Sequence, residues 1–258
     1  MSKKNETGNM GLGKLLYAIS LADQECDFGT IGLDDKRVHS INYRDAGALV
    51  SDYPRVNAIK LLRKNLAPYH RVTREAAQRF TTIPARFGQI ARDAGEVSIA
   101  LQRNYGQIRQ ALDRLDGKVE IGLKVSWQVE NLFAYFLERD GELKARRNQL
   151  LAKGTSLNRM EQIEFGSYVH TRMNQTKGGI SKRVLAALPP AEVRVEANHT
   201  DELITNAALL IRKELRPQLE EAVEALGQYM GEEYSLKLEG PWPPFSFVER
   251  VELHLSHV

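Results

Sequence analysis

Two adjacent segments near the middle of the chain carry its clearest hydrophobic patterns. From about residue 96 to residue 115, apolar side chains recur at steps of three and four, which predicts a helix with one apolar face. They are Val97, Leu101, Tyr105, Ile108, Leu112 and Leu115. Gly117 follows and suits the left-handed cap of a helix. From residue 119 to residue 129 every second residue is apolar, which predicts a strand with one face on a core and the other in water.

The residues ahead of this pair predict several short strands and one further helix. Strands are predicted at residues 14–21, 38–43, 46–51 and 81–86, with a hairpin turn at Arg44-Asp45. Between residues 59 and 80 the apolar positions follow helical spacing, but Pro68 lies among them. Because proline lacks an amide donor and clashes with the carbonyl four residues earlier, we expect a kink or break there. Strands interrupted by two helices on one sheet face are typical of a ferredoxin-like α+β domain.

After residue 130 the pattern changes. Residues 131–188 are rich in helix formers, with interruptions expected at Gly141, Gly154 and Gly178-Gly179. Beyond them, strands are predicted at 193–197, 203–211 and 234–238, with a helix at 215–230 completing a βαβ unit. We therefore predict a two-domain α+β fold behind a flexible tail. Its parts are the tail at 1–13, a ferredoxin-like domain at 14–130, and a helical domain with a smaller βαβ-containing α+β part at 131–258.

Composition narrows the class of protein. The net charge of +3 is the balance of 36 basic and 33 acidic residues that interleave along the chain, which argues against a nucleic-acid binder. No apolar run approaches the roughly 18–20 residues that span a bilayer, and the polar first ten residues lack the apolar core of a signal peptide. Cys26 is the sole cysteine, so an internal disulfide is impossible. We expect a cytoplasmic protein.

A search for catalytic and ligand-binding motifs finds none that carries a mechanism. Gly11-Leu12-Gly13-Lys14 is too short for a phosphate-binding loop and precedes a strand instead of following one. His254 and His257 could share a helix face, but the further ligands that zinc needs are missing beside them. We predict no catalytic residue, no cofactor and no metal. An enzyme whose site is assembled from distant residues is the alternative hypothesis.

The segment from Thr82 to Gly88 is the first of two that stand out. Pro84 fixes the backbone, and Arg86 and Phe87 precede Gly88, which can take a positive φ. One interpretation is a turn that ends a strand and whose arginine pairs with an acidic neighbour. The other is a surface that binds a partner.

The segment from Gly240 to Val248 is the second. Pro241, Pro243 and Pro244 stiffen the chain, and Trp242, Phe245 and Phe247 are large apolar side chains on that stiff backbone. Such a segment can clamp one domain to the rest of the chain or dock a partner, since little conformational entropy remains to be lost.

Four segments, taken in order, resemble the gas vesicle protein F/L family. They are Leu15-Leu16-Tyr17-Ala18-Ile19, the turn from Ile83 to Gly88, the strand from Gly117 to Val125, and the tail from Gly240 to Val248. The tail is the most specific of them. The resemblance implies an N-terminal ferredoxin-like domain followed by a helical and α+β domain, in agreement with the patterns above.

The resemblance also implies a non-enzymatic role in building the gas vesicle. Members of the family are thought to be assembly or minor structural components that contact the small hydrophobic shell protein, GvpA, and other accessory proteins. The family supplies no catalytic residues, and we expect no nucleic-acid or membrane partner. The candidate residues for partner binding or for an interdomain clamp are Arg86, Phe87, Trp242, Pro243, Pro244 and Phe245. We predict the clamp, so that Trp242→Ala should abolish folding.

Overall fold

The computed structural model of the chain describes residues 11–22, 24–55, 58–152, 158–197 and 199–248. Residues 1–10 of the predicted tail lie outside these ranges. Helices and strands are both abundant, which confirms the predicted α+β class. The contacts divide the chain into two units, one of residues 1–120 with 241–258 and one of residues 121–240.

The first unit is built on an antiparallel sheet of six strands of different length. They are β1 (Leu12–Leu21), β2 (Asp27–Gly29), β3 (Val38–Tyr43), β4 (Ala46–Pro54), β5 (Thr82–Pro84) and β6 (Ile90–Ala91). The order is β2-β3-β4-β1-β5, and β6 also pairs with β1. The predicted hairpin is confirmed, since β3 and β4 pair directly around Arg44, whose φ of 54° turns the chain. The predictions missed β2 and β6, which have three and two residues.

Two helices, α1 (Arg63–Arg79) and α2 (Ala94–Leu115), pack on this sheet and contact β1. The predicted stripe of α2 is confirmed, because Val97, Leu101, Ile108 and Leu112 are fully buried. Asp93 begins the helix by accepting a hydrogen bond from the Glu96 N–H at 2.8 Å.

The break expected at Pro68 is wrong, since α1 runs through this residue without ending. The helix begins at Arg63, later than its pattern suggested, so Pro68 falls near its N-terminus. The carbonyl that loses its donor belongs to Lys64, which is exposed and can be hydrated. A proline in this position costs less than one in the middle of a buried helix.

The second sheet has four strands. They are β7 (Lys118–Trp127), β8 (Glu192–Val195), β9 (Leu203–Arg212) and β10 (Tyr234–Trp242). Their order is β10-β7-β9-β8. The alternation predicted for β7 is confirmed, since Ile121, Leu123, Val125 and Trp127 are buried. The domain predicted at 14–130 includes this strand, but β7 pairs in the second sheet, because alternation identifies the buried face and not the neighbouring strand.

Four helices accompany this sheet. They are α3 (Leu132–Arg139), α4 (Gly141–Leu151), α5 (Arg159–Ala186) and α6 (Arg216–Met230). The expected interruption at Gly141 is confirmed, because α4 begins there after the cap residue Asp140. The one at Gly154 lies outside the described residues. The interruption at Gly178-Gly179 is wrong, because α5 continues for 28 residues and buries Val169, Met173, Lys177, Ile180 and Val184. That continuous buried stripe outweighs the roughly 1 kcal/mol that each glycine costs.

The two strands and the helix predicted for the βαβ unit are confirmed as β9, β10 and α6. However, β7 lies between β9 and β10, so the two strands are not neighbours. None of the helices in the described ranges is both long enough and apolar enough to cross a membrane.

Candidate functional site

The turn that follows β5 places Arg86 and Phe87 at the surface of the first unit. The Ala85 N–H donates to the Tyr17 carbonyl at 2.9 Å, and the Gln89 N–H donates to the Arg86 carbonyl at 3.3 Å. Gly88 has a φ of +81°, as its predicted role in the turn requires. Phe87 is half-buried, whereas Arg86 is exposed and forms no side-chain ion pair within the part of the chain that the structure describes.

Tyr69 of α1 lies beneath this turn and is almost completely buried. Its hydroxyl donates to the Ala85 carbonyl, and its ring meets the Phe87 ring edge to face with centroids 5.3 Å apart. On another side it stacks on Tyr17, with centroids 6.2 Å apart. Burial raises the pKa of Tyr69 above its ordinary value, so the hydroxyl stays a hydrogen-bond donor.

The tail after β10 reaches the same tyrosine. The Phe245 ring lies 6.5 Å from the Tyr69 ring and 5.6 Å from the His70 ring, which it meets edge to face. Within the tail, the Phe247 N–H donates to the Pro244 carbonyl at 3.2 Å and turns the chain inward. Phe247 is consequently 1% exposed. We name the rings of Tyr69, His70, Phe87 and Phe245 the Tyr69 cluster.

A carboxylate fixes the end of this tail. Glu120 is 7% exposed, and its Oε2 accepts the Ser246 N–H at 2.7 Å while its Oε1 accepts the Ser246 hydroxyl at 2.8 Å. Charged acceptors make the stronger class of hydrogen bond. The tail is therefore held by polar contacts at Ser246 and by apolar burial at Phe247.

The six candidate residues divide by exposure. Pro243 and Pro244 are buried and Phe87 is half-buried. Arg86 is exposed, while Trp242 and Phe245 leave 41% and 37% of their surface in contact with solvent. Tyr69 thus brings Phe87 and Phe245, from the two predicted motifs, into one cluster. Trp242 forms the last residue of β10, which continues through Pro241 at the edge of its sheet, where a missing amide donor is tolerated.

Titratable side chains of the described residues also line an open depression. Within those residues, no group of three or more His, Cys, Asp or Glu is placed to hold a metal ion. His254 and His257 lie outside them. An open depression of about 530 Å³ contains Cys26, His39 and Asp27. The Arg37 guanidinium and the Gly29 N–H bind Asp27 and lower the pKa of its carboxyl to about 2.

Comparison with known proteins identifies the family. The family model of the gas vesicle synthesis protein GvpL/GvpF matches residues 13–249. The chain belongs to the GvpL/GvpF family. The predicted resemblance is confirmed, and a role in gas vesicles follows from it.

Relatives of this GvpF-like chain occur in several organisms. It is 27% identical over 224 residues to gas vesicle protein F of Dolichospermum flosaquae, covering 84% of this chain and 90% of that protein. It is 23% identical to gas vesicle protein L of Haloferax mediterranei, covering 86% and 73%. The crystal structure of GvpF from Anabaena sp. PCC7120 has a TM-score of 0.82 at 24% identity, covering 92% of this chain and 98% of that one. The two chains therefore share a fold.

Sequence reasoning did not find Tyr69, His70 or Glu120. Tyr69 was visible as one apolar position of the α1 stripe, but nothing in the sequence linked it to the tail. Glu120 lies at a position of β7 that alternation assigns to water, and the tail covers it instead. Only the long-range packing of the tail reveals its role.

Proposed function

We propose that this GvpF-like protein is an assembly factor or minor structural component that contacts the hydrophobic gas vesicle shell protein, GvpA, and other accessory proteins. The observation that carries this proposal is the exposure of Trp242 and Phe245 on a tail that buried residues hold in place. Exposed aromatic side chains on a rigid backbone suit an apolar partner, because ordering them at an interface costs little entropy.

In this proposal the tail motif has two separate roles. Its buried members, Pro243, Pro244 and Phe247, act as an intramolecular clamp that keeps Phe245 of the tail against Tyr69 and His70. Its exposed members, Trp242 and Phe245, contact the partner. Arg86, which is exposed in the turn after β5, contacts it as well. The half-buried Phe87 supports the cluster through Tyr69. The exposed tail residues can therefore bind a partner only while the buried ones hold the tail in place.

Pull-down of GvpA by the co-expressed full chain tests the proposal. The variant W242A/F245A should keep its circular dichroism spectrum and lose most of the captured GvpA. Tyr229→Ala is the matched control, because Tyr229 is an aromatic residue that is 88% exposed on α6. Equal capture by both variants and by the unchanged protein would remove the tail from the interface. Normal vesicles in a strain lacking the gene would overturn the whole proposal.

The same experiment, extended to purified vesicles, separates the two forms of the proposal. A component of the shell should stay with vesicles through stringent washing, whereas an assembly factor should be washed away. Both forms assign the protein to the cytoplasm and to a non-catalytic role. The family's association with gas vesicles disfavours the alternative of an enzyme.

We also propose that the first sheet with α1 and α2 forms a ferredoxin-like domain, followed by a helical and α+β domain. The antiparallel pairing around β1, with two helices packed on it, supports this arrangement. The sequence predicts bounds of 14–130 and 131–258, but the pairing of β7 with β9 and β10 favours an earlier boundary, near Glu120, with the tail from Pro241 joining the first domain. Limited proteolysis should give first cuts between domains, and resistance throughout would count against two domains.

A further inference from the structure

The strand β8 forms one edge of the second sheet and is exposed along its whole length. All four of its residues are exposed, including Val193 at 39% and Val195 at 63%. Its pairing with β9 is antiparallel and in continuous register from Glu192 opposite Leu210 to Val195 opposite Ala207. An exposed strand in regular register offers a row of backbone groups to another strand.

The other sheet edges in the described part of the chain carry features that discourage such pairing. The edge strand β2 is three residues long and has a shift in register between Asp27 and Gly29. At the opposite edge, β5 and β6 are three and two residues long, and β5 ends in Pro84. The edge strand β10 contains Pro241. Short length, bulges and proline are the usual protections of an edge, and β8 has only its shortness and its charges.

One hydrogen bond just beyond β8 shows which backbone groups of this strand face β9. The Glu196 N–H donates to the carbonyl of Asn206, the residue directly opposite, at 2.8 Å. In an antiparallel pair these bonds occur at every second residue. The backbone groups of Arg194 therefore face β9, and those of Val193 and Val195 face outward. A partner strand would bond to the two valines.

The side chains of β8 are complementary to a second copy of the same strand. Along Glu192, Arg194 and Glu196 the charges alternate on one face, and Val193 and Val195 share the other. In a two-fold antiparallel pair centred on Val193, each Glu192 lies opposite Arg194 of the second copy. Centring on Val195 places Arg194 opposite Glu196. Both registers use outward backbone groups and oppose unlike charges, which stabilises cross-strand pairs.

We propose that β8 is a self-association surface, on which β8 of a second copy pairs antiparallel and joins two four-stranded sheets into one. The register centred on Arg194 is disfavoured, because it places like charges opposite each other. The two copies of Arg194 face one another, and each Glu192 faces Glu196 of the second copy. The dimer is a weak one, since each strand contributes few residues. This surface shares no residue with the tail motif, so the proposal does not depend on the proposed contact with GvpA.

Sedimentation equilibrium of the full chain, from micromolar to millimolar concentration, tests this association. The average mass of the unchanged protein should rise from 29.1 kDa toward twice that value. Arg194→Glu should raise the dissociation constant by about tenfold or more, because two attractive pairs per dimer become repulsive. The triple variant E192R/R194E/E196R restores alternating charge and should dimerise like the unchanged protein. Circular dichroism confirms the fold of each variant.

A mixture of two variants gives the sharpest outcome. R194E carries three acidic residues on this face of β8, and E192R/E196R carries three basic ones, so each alone should stay monomeric. Mixed together, they should form a dimer. Val195→Pro removes an outward N–H without touching the bonds to β9 and should also give a monomer. An unchanged protein that is monomeric throughout, or a dimer that R194E does not weaken, would overturn the proposal.

Discussion

Glu120 accepts both hydrogen bonds that Ser246 can donate, one from its N–H and one from its hydroxyl, across 126 residues of sequence. The first residues of β7 are thereby tied to the tail beyond β10. The same tail residue is followed by Phe247, which is buried. A carboxylate and an aromatic ring together determine where the tail lies on the first unit.

Removal of the carboxylate should loosen the tail. We expect Glu120→Ala to lower the free energy of unfolding by about 2–3 kcal/mol, since hydrogen bonds to a charged acceptor are lost from a buried site. Ser246→Ala is the matched variant and should cost about 1 kcal/mol, because the N–H bond to Glu120 stays. Urea denaturation followed by circular dichroism measures both. A larger loss for S246A than for E120A would contradict this assignment.

Removal of the buried ring should have a greater effect than removal of the exposed one. Phe247→Ala should cost about 3–5 kcal/mol, as is usual for truncating a buried phenylalanine. Trp242 is 41% exposed, so Trp242→Ala should cost about 1 kcal/mol and leave the fold intact. The clamp function therefore rests on Phe247, and the loss of folding first expected of W242A should appear in F247A. Thermal denaturation of the two variants distinguishes them.

The Tyr69 hydroxyl can be removed without removing its ring. Tyr69→Phe loses the hydrogen bond to the Ala85 carbonyl but keeps the contacts with Phe87 and Phe245. We expect a loss of about 1–2 kcal/mol in the free energy of unfolding, because the carbonyl of a half-buried turn is left without this donor. Tyr69→Ala should cost at least twice as much. Equal losses would show that the ring contacts contribute nothing.

The local pattern of apolar residues was enough to predict helices and strands whose spacing is determined by a single buried face. The α2 stripe and the β7 alternation are each produced by one buried face, and the side chains on that face determine the spacing. The same local rules failed at Pro68 and at Gly178-Gly179. At Pro68 the start of the helix decides the cost, and at the two glycines a buried stripe along the 28-residue helix α5 outweighs their low propensity. Both outcomes depend on residues other than the proline or the glycines themselves.

The candidate site was predictable only in pieces. The sequence identified the turn and the tail separately through their proline, glycine and aromatic residues. Tyr69, which joins them, looks like any other apolar position of an amphipathic helix. Glu120 looks like a solvated strand residue until a segment more than a hundred residues away covers it. Contacts between residues this far apart are set by topology, which a local period does not encode.

Two glycines should respond oppositely to alanine. At Gly88, φ is +81°, so Gly88→Ala should cost about 1–2 kcal/mol for a left-handed backbone. Gly106 lies in α2 with no atom within 4 Å of the added methyl group, so Gly106→Ala should stabilise by about 0.5–1 kcal/mol. Melting temperatures of the two variants should lie on opposite sides of the unchanged protein. A stabilising G88A would mean that the turn relaxes freely.

The carboxyl of Asp27 should titrate well below the ordinary value of 3.8, at a pKa of about 2, because Arg37 binds it. Since its pKa is lower in the folded state, the pair stabilises the fold at pH values above about 4. That contribution is lost as the pH falls through 2. Arg37→Gln should raise the pKa toward 3.8 without reaching it, because the Gly29 N–H still donates at 2.9 Å. Carboxyl chemical shifts in NMR titrations measure both values.

The hydrogen bonds between Glu120 and Ser246 also determine when, during translation, the tail can attach to the first unit. When Glu120 is added to the growing chain, its hydrogen-bond donor Ser246 has not yet been made. At about 5–20 residues per second, the next 126 residues, ending with Ser246, take roughly 6–25 s to synthesise. Throughout that interval the nascent first unit lacks both hydrogen bonds from Ser246 and the Phe245 ring that contacts Tyr69. Tail attachment therefore follows the synthesis of Ser246, and the aromatic surface that Phe245 completes can bind a partner only after that step.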